Sequence, residues 1–394
     1  MFELLKEQPK DPILGLSALY RADTRDSKID LGVGVYKNAD GITPIMCAVK
    51  KAEEMLWQAE NTKTYTSLPG QSDFHKVMHD LVLGNAVPAE RTAYCATPGG
   101  TGAVHHILEL IAKTKPAAKV WFSNPTWGNH MTIAKHVGAQ FGQYRYFDED
   151  SRSVDFDAMK EDLRAIADGD VVVLHGCCHN PTGANLTDAQ WQDVGDILAE
   201  KNAIPFIDIA YQGFGDGLDE DAFGTRHLAA KFENMFISAS CSKNFGIYRE
   251  RTGIIFAVCK DEDQKLIVQG NLNHLNRQNF SFPPDHGASL VTLVLSDAAL
   301  RNDWETELEE VRLGMRDIRE KLATALNAEA GSNRFGFLAE HRGMFSRLGA
   351  SKDKVDLLRE EHGIYMVSDS RLNIAGVTEA TIDRLAKSVI EVGI

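Results

Sequence analysis

Between residues 91 and 260, short apolar runs of strand length alternate with longer stretches whose apolar positions recur at helical spacing. The apolar runs predict strands at 92–97, 119–123, 171–175, 205–209, 236–239 and 253–258. The amphipathic stretches predict helices at 101–113, 129–136, 156–167 and 188–201. Thr187, with Gln190 three residues later, has the spacing of a capping box at the start of the last of these helices. Strands that alternate with helices predict an α/β fold with a mainly parallel sheet covered on both faces.

The pattern changes after residues 283–284, a pair of prolines. Residues 303–326 carry apolar side chains at helical spacing, which predicts one long amphipathic helix. The final stretch alternates two strand-like runs with helices and ends in a predicted helix at 379–392. We therefore predict a large domain at 41–309, and a smaller α+β domain formed by 310–394 and by 1–40 with an N-terminal arm.

Composition narrows the class of protein. The 394 residues are 43% hydrophobic and 25% charged, which is ordinary for a soluble globular chain. The formal net charge of -14 argues against nucleic acid or an anionic membrane surface as a main partner. Residues 1–7 mix acids and bases and lack the character of a secretory or transit signal, and no segment has the apolar length of a membrane helix. We expect a cytoplasmic protein.

The six cysteines lie mostly in apolar, strand-like contexts, and none has the paired spacing of a zinc site. Residues 175–179, His-Gly-Cys-Cys-His, are the one run that suggests a metal. Neighbouring residues on a strand point to opposite faces, so we expect that these side chains do not share a tetrahedral centre. The sequence therefore predicts reduced thiols and no metal.

Lys243 follows the predicted strand 236–239 and so lies at its carboxyl end, the edge of an open α/β sheet where ligands bind. Hydroxyls precede it at Ser240 and Ser242, and Arg251 lies on the next turn. This combination suits an aldehyde cofactor that carries a phosphate. Lys243 would hold pyridoxal phosphate as a Schiff base, while Ser240 and Arg251 would bind its phosphate.

The phosphate of such a cofactor also needs backbone donors. Residues 97–103, which include Gly99, Gly100 and Thr101, run from a predicted strand into a predicted helix. Free amides and the helix dipole would therefore face the phosphate dianion. A glycine-rich turn of this kind also fits a nucleotide site or a plain tight turn.

The other parts of the cofactor have candidates at further strand ends. Asp208 would keep the pyridine nitrogen protonated, and His130 would bridge to that carboxylate. Asn180 and Tyr211 would contact the phenolic oxygen, and Trp127 would stack on the ring. Each has a structural alternative, such as a strand-end cap, an ordinary Asn-Pro turn or a core tryptophan. Their joint occurrence at strand ends favours a single cofactor site.

Three segments carry a resemblance to a known family: Ser-x-Ser-Lys-Asn-Phe-Gly-x-Tyr-x-Glu-Arg at 240–251, His-Gly-Cys-Cys-His-Asn-Pro-Thr-Gly at 175–183 and Asp-x-Ala-Tyr-Gln-Gly-Phe at 208–214. They resemble the aspartate and aromatic amino-acid aminotransferases, which are fold-type I pyridoxal-phosphate enzymes. The similarity runs from about residue 12 to the C-terminus. It implies a seven-stranded, mainly parallel sheet with a smaller α+β domain, and a homodimer whose active sites lie at the subunit interface.

The resemblance also implies a role for each candidate residue. Lys243 would be the Schiff-base lysine that moves the substrate's α-proton, and Arg371 would hold the α-carboxylate. Arg277 of the partner subunit would hold the distal carboxylate of a dicarboxylic substrate. Gly34 would belong to the mobile segment that closes over the substrate. Further cofactor contacts would come from the positions that match the family's phosphate, ring and ring-oxygen contacts: Gly100, Thr101, Trp127, Asn180, Asp208, Tyr211, Ser240, Arg251 and, from the partner subunit, Tyr65.

The implied reaction is ping-pong amino transfer from an amino acid to a 2-oxo acid such as 2-oxoglutarate or oxaloacetate. Residues 276–284 and 342–349 look closest to bacterial aromatic aminotransferases, which favours an enzyme for both aromatic (Phe, Tyr, Trp) and acidic (Asp, Glu) substrates. A strict aspartate aminotransferase is the alternative. More distant alternatives are a β-eliminating enzyme of the same fold type, a non-catalytic cofactor-binding regulator and a nicotinamide dehydrogenase.

Overall fold

The computed structural model describes residues 2–7, 11–38 and 40–394. Its strands are β1 Ile29–Asp30, β2 Thr92–Pro98, β3 Lys119–Asn124, β4 Gln140–Arg145, β5 Phe147–Asp148, β6 Ser153–Val154, β7 Val171–His175, β8 Ile204–Ile209, β9 Met235–Ser240, β10 Thr252–Val258, β11 Phe345–Arg347, β12 Ile364–Tyr365 and β13 Arg371–Asn373. Its α-helices are α1 Pro12–Ala22, α2 Cys47–Ala59, α3 Ser72–Val82, α4 Gly99–Thr114, α5 Gly128–Val137, α6 Phe156–Ala165, α7 Asp188–Glu200, α8 Phe223–Lys231, α9 Glu262–Asn279, α10 His286–Ser296, α11 Ala298–Ala330, α12 Phe337–Glu340, α13 Lys352–His362 and α14 Glu379–Glu391.

The chain divides into two compact units, one formed by residues 44–314 and the other by 1–43 and 315–394. The sequence had predicted domains at 41–309 and at 1–40 with 310–394, and the dividing point between 314 and 315 lies inside α11. Residues 1, 8–10 and 39 of the predicted N-terminal arm lie outside the described residues. Among the described residues, none of the helices combines the length and the apolar character of a membrane span.

The 44–314 unit contains a seven-stranded sheet, counted over the described residues, in the order β2-β10-β9-β8-β7-β3-β4. The strand pairs are parallel except those of β10, which runs antiparallel to both of its neighbours. The predicted α/β fold with a mainly parallel sheet is therefore confirmed. The edge strand β4 was not predicted, because its exposed positions are mostly polar, so it lacks the apolar run of a central strand.

Helix α4 shows how the hydrophobic pattern builds this unit. Val104, Ile107, Leu108 and Ile111 recur at helical spacing, are fully or almost fully buried, and belong to the same core cluster as the β-strands. Burial of one such side chain contributes about 1.5–3 kcal/mol relative to its exposure. The core therefore fixes where α4 begins, and with it the turn after β2.

Strand register places the carboxyl ends of three neighbouring strands side by side. His175 of β7 pairs with Asp208 of β8, and Asp208 pairs with Ser238 of β9. Polar side chains from segments far apart in sequence thus come together at one edge of the sheet. This is the edge where open α/β sheets bind their ligands.

The unit formed by 1–43 and 315–394 has its own core, to which Leu31, Leu322, Leu358 and Leu385 contribute fully or almost fully buried side chains. In the described part of this unit the strands form two short pairs, β1 with β12 in parallel and β11 with β13 antiparallel. The buried Arg319 donates hydrogen bonds to the carbonyl oxygens of Gly343 and Phe345 at 2.8 Å, which fixes the segment that leads into β11.

Candidate active site

Lys243 lies in the turn that follows β9, partly buried, with its Nζ 4.8 Å from the centroid of the Tyr211 ring. Burial lowers the pKa of Lys243 to about 8, opposed by the negative charge of Asp208 and assisted by the positive charge of Arg251. A lysine in this setting is neutral over part of the mildly alkaline range. A neutral amine is the form that attacks an aldehyde.

Asp208, at the end of β8, is a buried carboxylate with two side-chain partners. The Ser238 hydroxyl donates to its Oδ1 at 2.7 Å, and Nε2 of His130 lies 3.1 Å from its Oδ2. Burial raises the pKa of Asp208, but the hydrogen bond and charge of His130, the charge of His175 and the Ser238 hydroxyl outweigh it and hold the pKa below its ordinary value. The carboxylate therefore remains ionised in a dry environment.

A chain of polar side chains extends behind this carboxylate. The Thr126 hydroxyl lies 2.9 Å from Nδ1 of His130 and 3.0 Å from Nε2 of His175. Burial and the neighbouring charge of His130 lower the pKa of His175 to about 3, with Asp208 opposing, so His175 is neutral. A carboxylate accepts only, so Nε2 of His130 carries the hydrogen that faces Asp208. Nδ1 of His130 and Nε2 of His175 both face the Thr126 hydroxyl, which has one hydrogen, so it donates to one ring nitrogen and accepts from the other.

The turn from β2 into α4 brings backbone amides and a guanidinium together. Gly99 has a φ of +71°, and a Cβ at this position would lie 2.4 Å from Nη2 of Arg251. Glycine therefore allows the guanidinium to lie against the first turn of α4. Arg251 Nη1 donates to the Ser242 hydroxyl at 3.4 Å, and the Ser242 amide donates to the Ser240 hydroxyl at 3.3 Å.

The next two positions of α4, Gly100 and Thr101, lie beside these groups. Together with Gly99, Ser240, Ser242 and Arg251 they form what we call the phosphate corner. Gly100 lies against Ser240, since a Cβ at Gly100 would be 3.0 Å from the Ser240 Cβ. Thr101 is exposed in the first turn of the helix. Unpaired amides at a helix N-terminus, hydroxyls and an arginine form a site suited to a phosphate dianion.

The predicted ring contacts lie on loops that leave the same edge of the sheet. Trp127 immediately precedes α5, and its ring meets that of His130 edge to face, with centroids 5.2 Å apart. Asn180 is buried in the loop after β7, and Tyr211 is buried just after β8. Within the 44–314 unit, the structure therefore brings Tyr211 to Lys243 and His130 to both Asp208 and Trp127.

Tyr65 and Arg277, the residues predicted to act from the partner subunit, are exposed. The Tyr65 ring stacks on Phe282, with centroids 4.8 Å apart. Arg277, in the last turn of α9, donates from Nη1 to the Ser281 hydroxyl at 2.5 Å, and its guanidinium carbon lies 5.8 Å from the centroid of the Phe282 ring. The two residues thus share one aromatic neighbour.

Arg371 and Gly34 belong to the other unit. The Arg371 guanidinium carbon lies 4.3 Å from the centroid of the Phe345 ring, and its Nη2 donates to the carbonyl oxygen of Gly32 at 3.2 Å. A Cβ on Gly34 would lie 3.4 Å from Cζ of the same Phe345 ring. One aromatic ring therefore contacts both the predicted carboxylate-binding arginine and the predicted mobile segment.

Two features of the site were not predicted. The roles of Ser238, Thr126 and His175 were missed, and the only available signal was the pairing of β7, β8 and β9, which sets which strand ends are neighbours. The argument that separated Cys177 from Cys178 was wrong in its geometry. Both residues lie beyond the end of β7, and their thiols lie within 4.8 Å of each other and of an Asp221 oxygen.

The residues of the 44–314 unit fit pyridoxal 5'-phosphate. Lys243 offers an amine of lowered pKa, Asp208 offers a buried ionised carboxylate for a protonated ring nitrogen, and Gly99 leaves room for the Arg251 guanidinium beside the start of α4. The family model described as "Aminotransferase class I and II" matches residues 26–389. The chain belongs to this family. It is a pyridoxal-phosphate-dependent aminotransferase of fold type I.

Relatives of this aminotransferase include aromatic-amino-acid, aspartate and tyrosine aminotransferases. It is 55% identical to an aromatic-amino-acid aminotransferase of Paracoccus denitrificans over 390 residues, which is 99% of each chain. It is 41% identical to an aspartate aminotransferase of Salmonella typhi, with 100% of each chain covered. A solved aromatic-amino-acid aminotransferase of Burkholderia pseudomallei, covalently bound to pyridoxal phosphate, superposes with a TM-score of 0.97 at 38% identity, covering 100% of this chain and 99% of that one.

Proposed function

We propose that this aminotransferase accepts both aromatic amino acids (Phe, Tyr, Trp) and the acidic amino acids aspartate and glutamate, with 2-oxoglutarate or oxaloacetate as the acceptor. The arrangement of Arg277 carries the proposal. This exposed arginine has a neutral hydroxyl as the partner of its Nη1 and an aromatic ring beside it. A neutral partner is easier to exchange than a carboxylate. Arg277 can therefore bind a distal carboxylate or move aside for an aromatic side chain.

A strict aspartate aminotransferase is the second candidate, because a distal arginine alone suits a dicarboxylic substrate. The higher identity to the aromatic relative, 55% against 41%, favours the broader specificity. The Tyr65–Phe282 stack beside Arg277 favours it further, since it offers an apolar surface next to a charge.

The cofactor and the side chains around it have separate roles in amino transfer. The cofactor supplies an electron sink for the carbanion formed when the α-proton leaves. Lys243 takes the α-proton from the substrate and gives it up again at the carbon that receives the amino group. Its lowered pKa permits this proton transfer near neutral pH. Asp208 holds the charge that keeps the ring nitrogen protonated, and His130 and Ser238 hold Asp208 in place.

The remaining groups orient the cofactor and the substrate. Asn180 and Tyr211 would donate hydrogen bonds to the phenolic oxygen of the cofactor, and Trp127 would lie against its ring. The phosphate corner described above would bind the phosphate through Gly100, Thr101, Ser240, Ser242 and Arg251. Arg371 binds the substrate's α-carboxylate with a two-pronged guanidinium, and movement of the segment that includes Gly34 excludes water.

The active enzyme is proposed to be a homodimer, with Tyr65 and Arg277 each acting on the partner's site. Tyr65 is 79% exposed in the single chain, although it stacks on Phe282 on one face. A large aromatic side chain so exposed, with a cation beside the same neighbour, is typical of an interface.

The test follows the absorbance of the lysine-bound cofactor after separate additions of L-aspartate and L-phenylalanine without an acceptor. Bleaching by both, at comparable second-order rates, is the expected result. Bleaching by aspartate alone would identify a strict aspartate enzyme. A separate addition of L-serine, which carries a β leaving group, tests elimination: release of pyruvate and ammonia would indicate a β-eliminating enzyme instead.

A further inference from the structure

Cys177, Cys178 and Asp221 form a cluster outside the residues assigned to cofactor and substrate. The two Sγ atoms and one carboxylate oxygen lie within 4.8 Å of one another, and all three side chains are buried. Two thiols and a carboxylate are a donor set for divalent cations with an affinity for sulfur.

The backbone explains why adjacent cysteines can face one point. β7 ends at His175, so Cys177 and Cys178 are not on a pleated strand. Cys178 has a φ of +50°, in the left-handed region that non-glycine residues rarely adopt. This conformation turns the second thiol toward the first, where an extended strand would separate them.

The spacing needs little change to hold an ion. With zinc–sulfur bonds of about 2.3 Å, two thiolates of a tetrahedral site lie roughly 3.8 Å apart. The two sulfur atoms therefore need to approach each other by no more than about 1 Å. Asp221 already accepts hydrogen bonds from the amides of Gly213 and Gly215 on Oδ2 and from that of Asp216 on Oδ1. A carboxylate has about four acceptor positions, so one remains for the ion.

A cavity of about 440 Å³ leads to the cluster, and both Cys177 and Asp221 line it. Its other lining residues include four acids, Asp188, Asp216, Asp219 and Glu220. A cleft lined by one sign of charge raises the local concentration of the opposite ion. The cavity can also supply water as a fourth ligand.

We propose that Cys177, Cys178 and Asp221 bind a divalent d10 cation such as Zn²⁺ or Cd²⁺. On binding, the ion forms bonds to both sulfur atoms and to one oxygen of Asp221, and the two S–H protons pass to water. No redox step is involved. A water molecule from the cavity completes the tetrahedron.

The cluster contacts the two loops that carry Asn180 and Tyr211, the residues proposed to bind the phenolic oxygen of the cofactor. Cys178 lies two residues before Asn180, and its Sγ is 4.0 Å from the carbonyl oxygen of Tyr211. Asp221 holds the amide of Gly213, two residues after Tyr211. Contraction of the cluster around an ion therefore displaces Asn180 or Tyr211 and alters the absorbance of the bound cofactor. This second effect rests on the proposed roles of those two residues, whereas binding of the ion does not.

Cadmium is the probe, because cadmium–thiolate bonds absorb in the ultraviolet. Titration of the holoenzyme, with equilibrium dialysis for stoichiometry, should give one ion per chain with a two-thiolate absorbance. The Cys177→Ser/Cys178→Ser variant should bind at least about 100-fold more weakly, since loss of a mere outer partner already costs 10–100-fold. Cys47→Ser, which removes an exposed thiol elsewhere, should retain the site. Asp221→Asn should weaken binding while keeping the two-thiolate absorbance.

The outcomes separate the two claims. Equal cadmium binding by wild type and by the double cysteine variant, or no binding by wild type, overturns the site. If the double variant loses its far-ultraviolet circular dichroism, the single variants Cys177→Ser and Cys178→Ser replace it in the titration. Each single variant should then show the absorbance of one cadmium–thiolate bond instead of two. Binding that leaves the cofactor absorbance unchanged overturns only the link to Asn180 and Tyr211. None of these measurements depends on turnover, so they remain decisive whatever the substrate specificity.

Discussion

The indole nitrogen of Trp304 donates a 2.7 Å hydrogen bond to the carbonyl oxygen of Asn244, the residue that follows Lys243. The Trp304 ring also stacks on Phe245, with centroids 4.5 Å apart and planes 4° from parallel. Both aromatic side chains are almost completely buried. The turn that carries the reactive lysine is therefore fixed on its far side by a tryptophan about 60 residues away in sequence.

Replacement of Trp304 by Phe should keep the ring contact and remove the donor. The buried Asn244 carbonyl then loses this partner, which costs about 1–3 kcal/mol. We expect a loss of unfolding free energy of this size in denaturant titrations, with faster release of the cofactor. Trp57→Phe, at a position 78% exposed, should change stability by no more than about 0.5 kcal/mol. Equal effects of the two substitutions would argue against the anchoring role.

Gly99→Ala tests the phosphate corner. A Cβ there meets the Arg251 guanidinium at 2.4 Å, and the φ of +71° costs a side chain about 1–2 kcal/mol. We expect weaker cofactor binding, measured as release during dialysis. Gly270→Ala is the matched control, because this exposed glycine lies inside α9 with open space around it. It should raise stability by about 0.5–1 kcal/mol and leave cofactor binding unchanged.

The pKa of Lys243 predicts how the cofactor-free protein depends on pH. Burial lowers this pKa to about 8, from an ordinary value near 10.5. Only the neutral amine attacks the aldehyde, so the rate of reconstitution with pyridoxal phosphate should rise with pH and level off above about 8. The unfolded chain binds more protons between these two pKa values, so the cofactor-free protein should gain stability as the pH rises from about 8 to 10.5. Lys243→Met should abolish both trends.

The sequence predicted local structure better than it predicted long-range contacts. β7 has the predicted bounds, and α7 begins at the predicted Thr187–Gln190 capping box. Both follow from residues that are neighbours in the chain. In contrast, α9 has few buried residues and hence little apolar pattern, and it was not predicted.

The same contrast between local structure and long-range contacts holds for the active site. The positions of Lys243 and Asp208 after their strands followed from local apolar runs. The chain from His175 through Thr126 to His130 joins residues 49 apart in sequence, and it depends on the strand order of the sheet. Whether two thiols converge depends on a single φ angle at Cys178, which no periodic pattern encodes.

Thr126→Val should test that polar chain, because valine keeps the shape of threonine without its hydroxyl. His130 and His175 each lose a buried partner, so we expect about 1–3 kcal/mol less stability per histidine left without one. Turnover should fall as His130 loses its orientation toward Asp208. Thr126→Ser should restore both properties, since it keeps the hydroxyl. A serine variant as impaired as the valine variant would assign the effect to packing.

Arg277→Ala gives the sharpest test of substrate specificity. Hydrogen bonds to a charged group contribute about 1.5–3 kcal/mol, which corresponds to a factor of roughly 10–150 in kcat/KM. Aspartate should lose this factor, whereas phenylalanine has no distal carboxylate and should change little. Arg164→Ala, at an exposed arginine in the last turn of α6, controls for the loss of a surface charge and should leave the turnover of both substrates unaffected.

Ser281→Ala removes the 2.5 Å partner of Arg277 and so frees the guanidinium. This change should alter the ratio of aspartate to phenylalanine turnover without abolishing either. Equal losses for the two substrates in Arg277→Ala would instead mean that this arginine supports the fold or the subunit interface, and the basis for dual specificity would have to lie elsewhere.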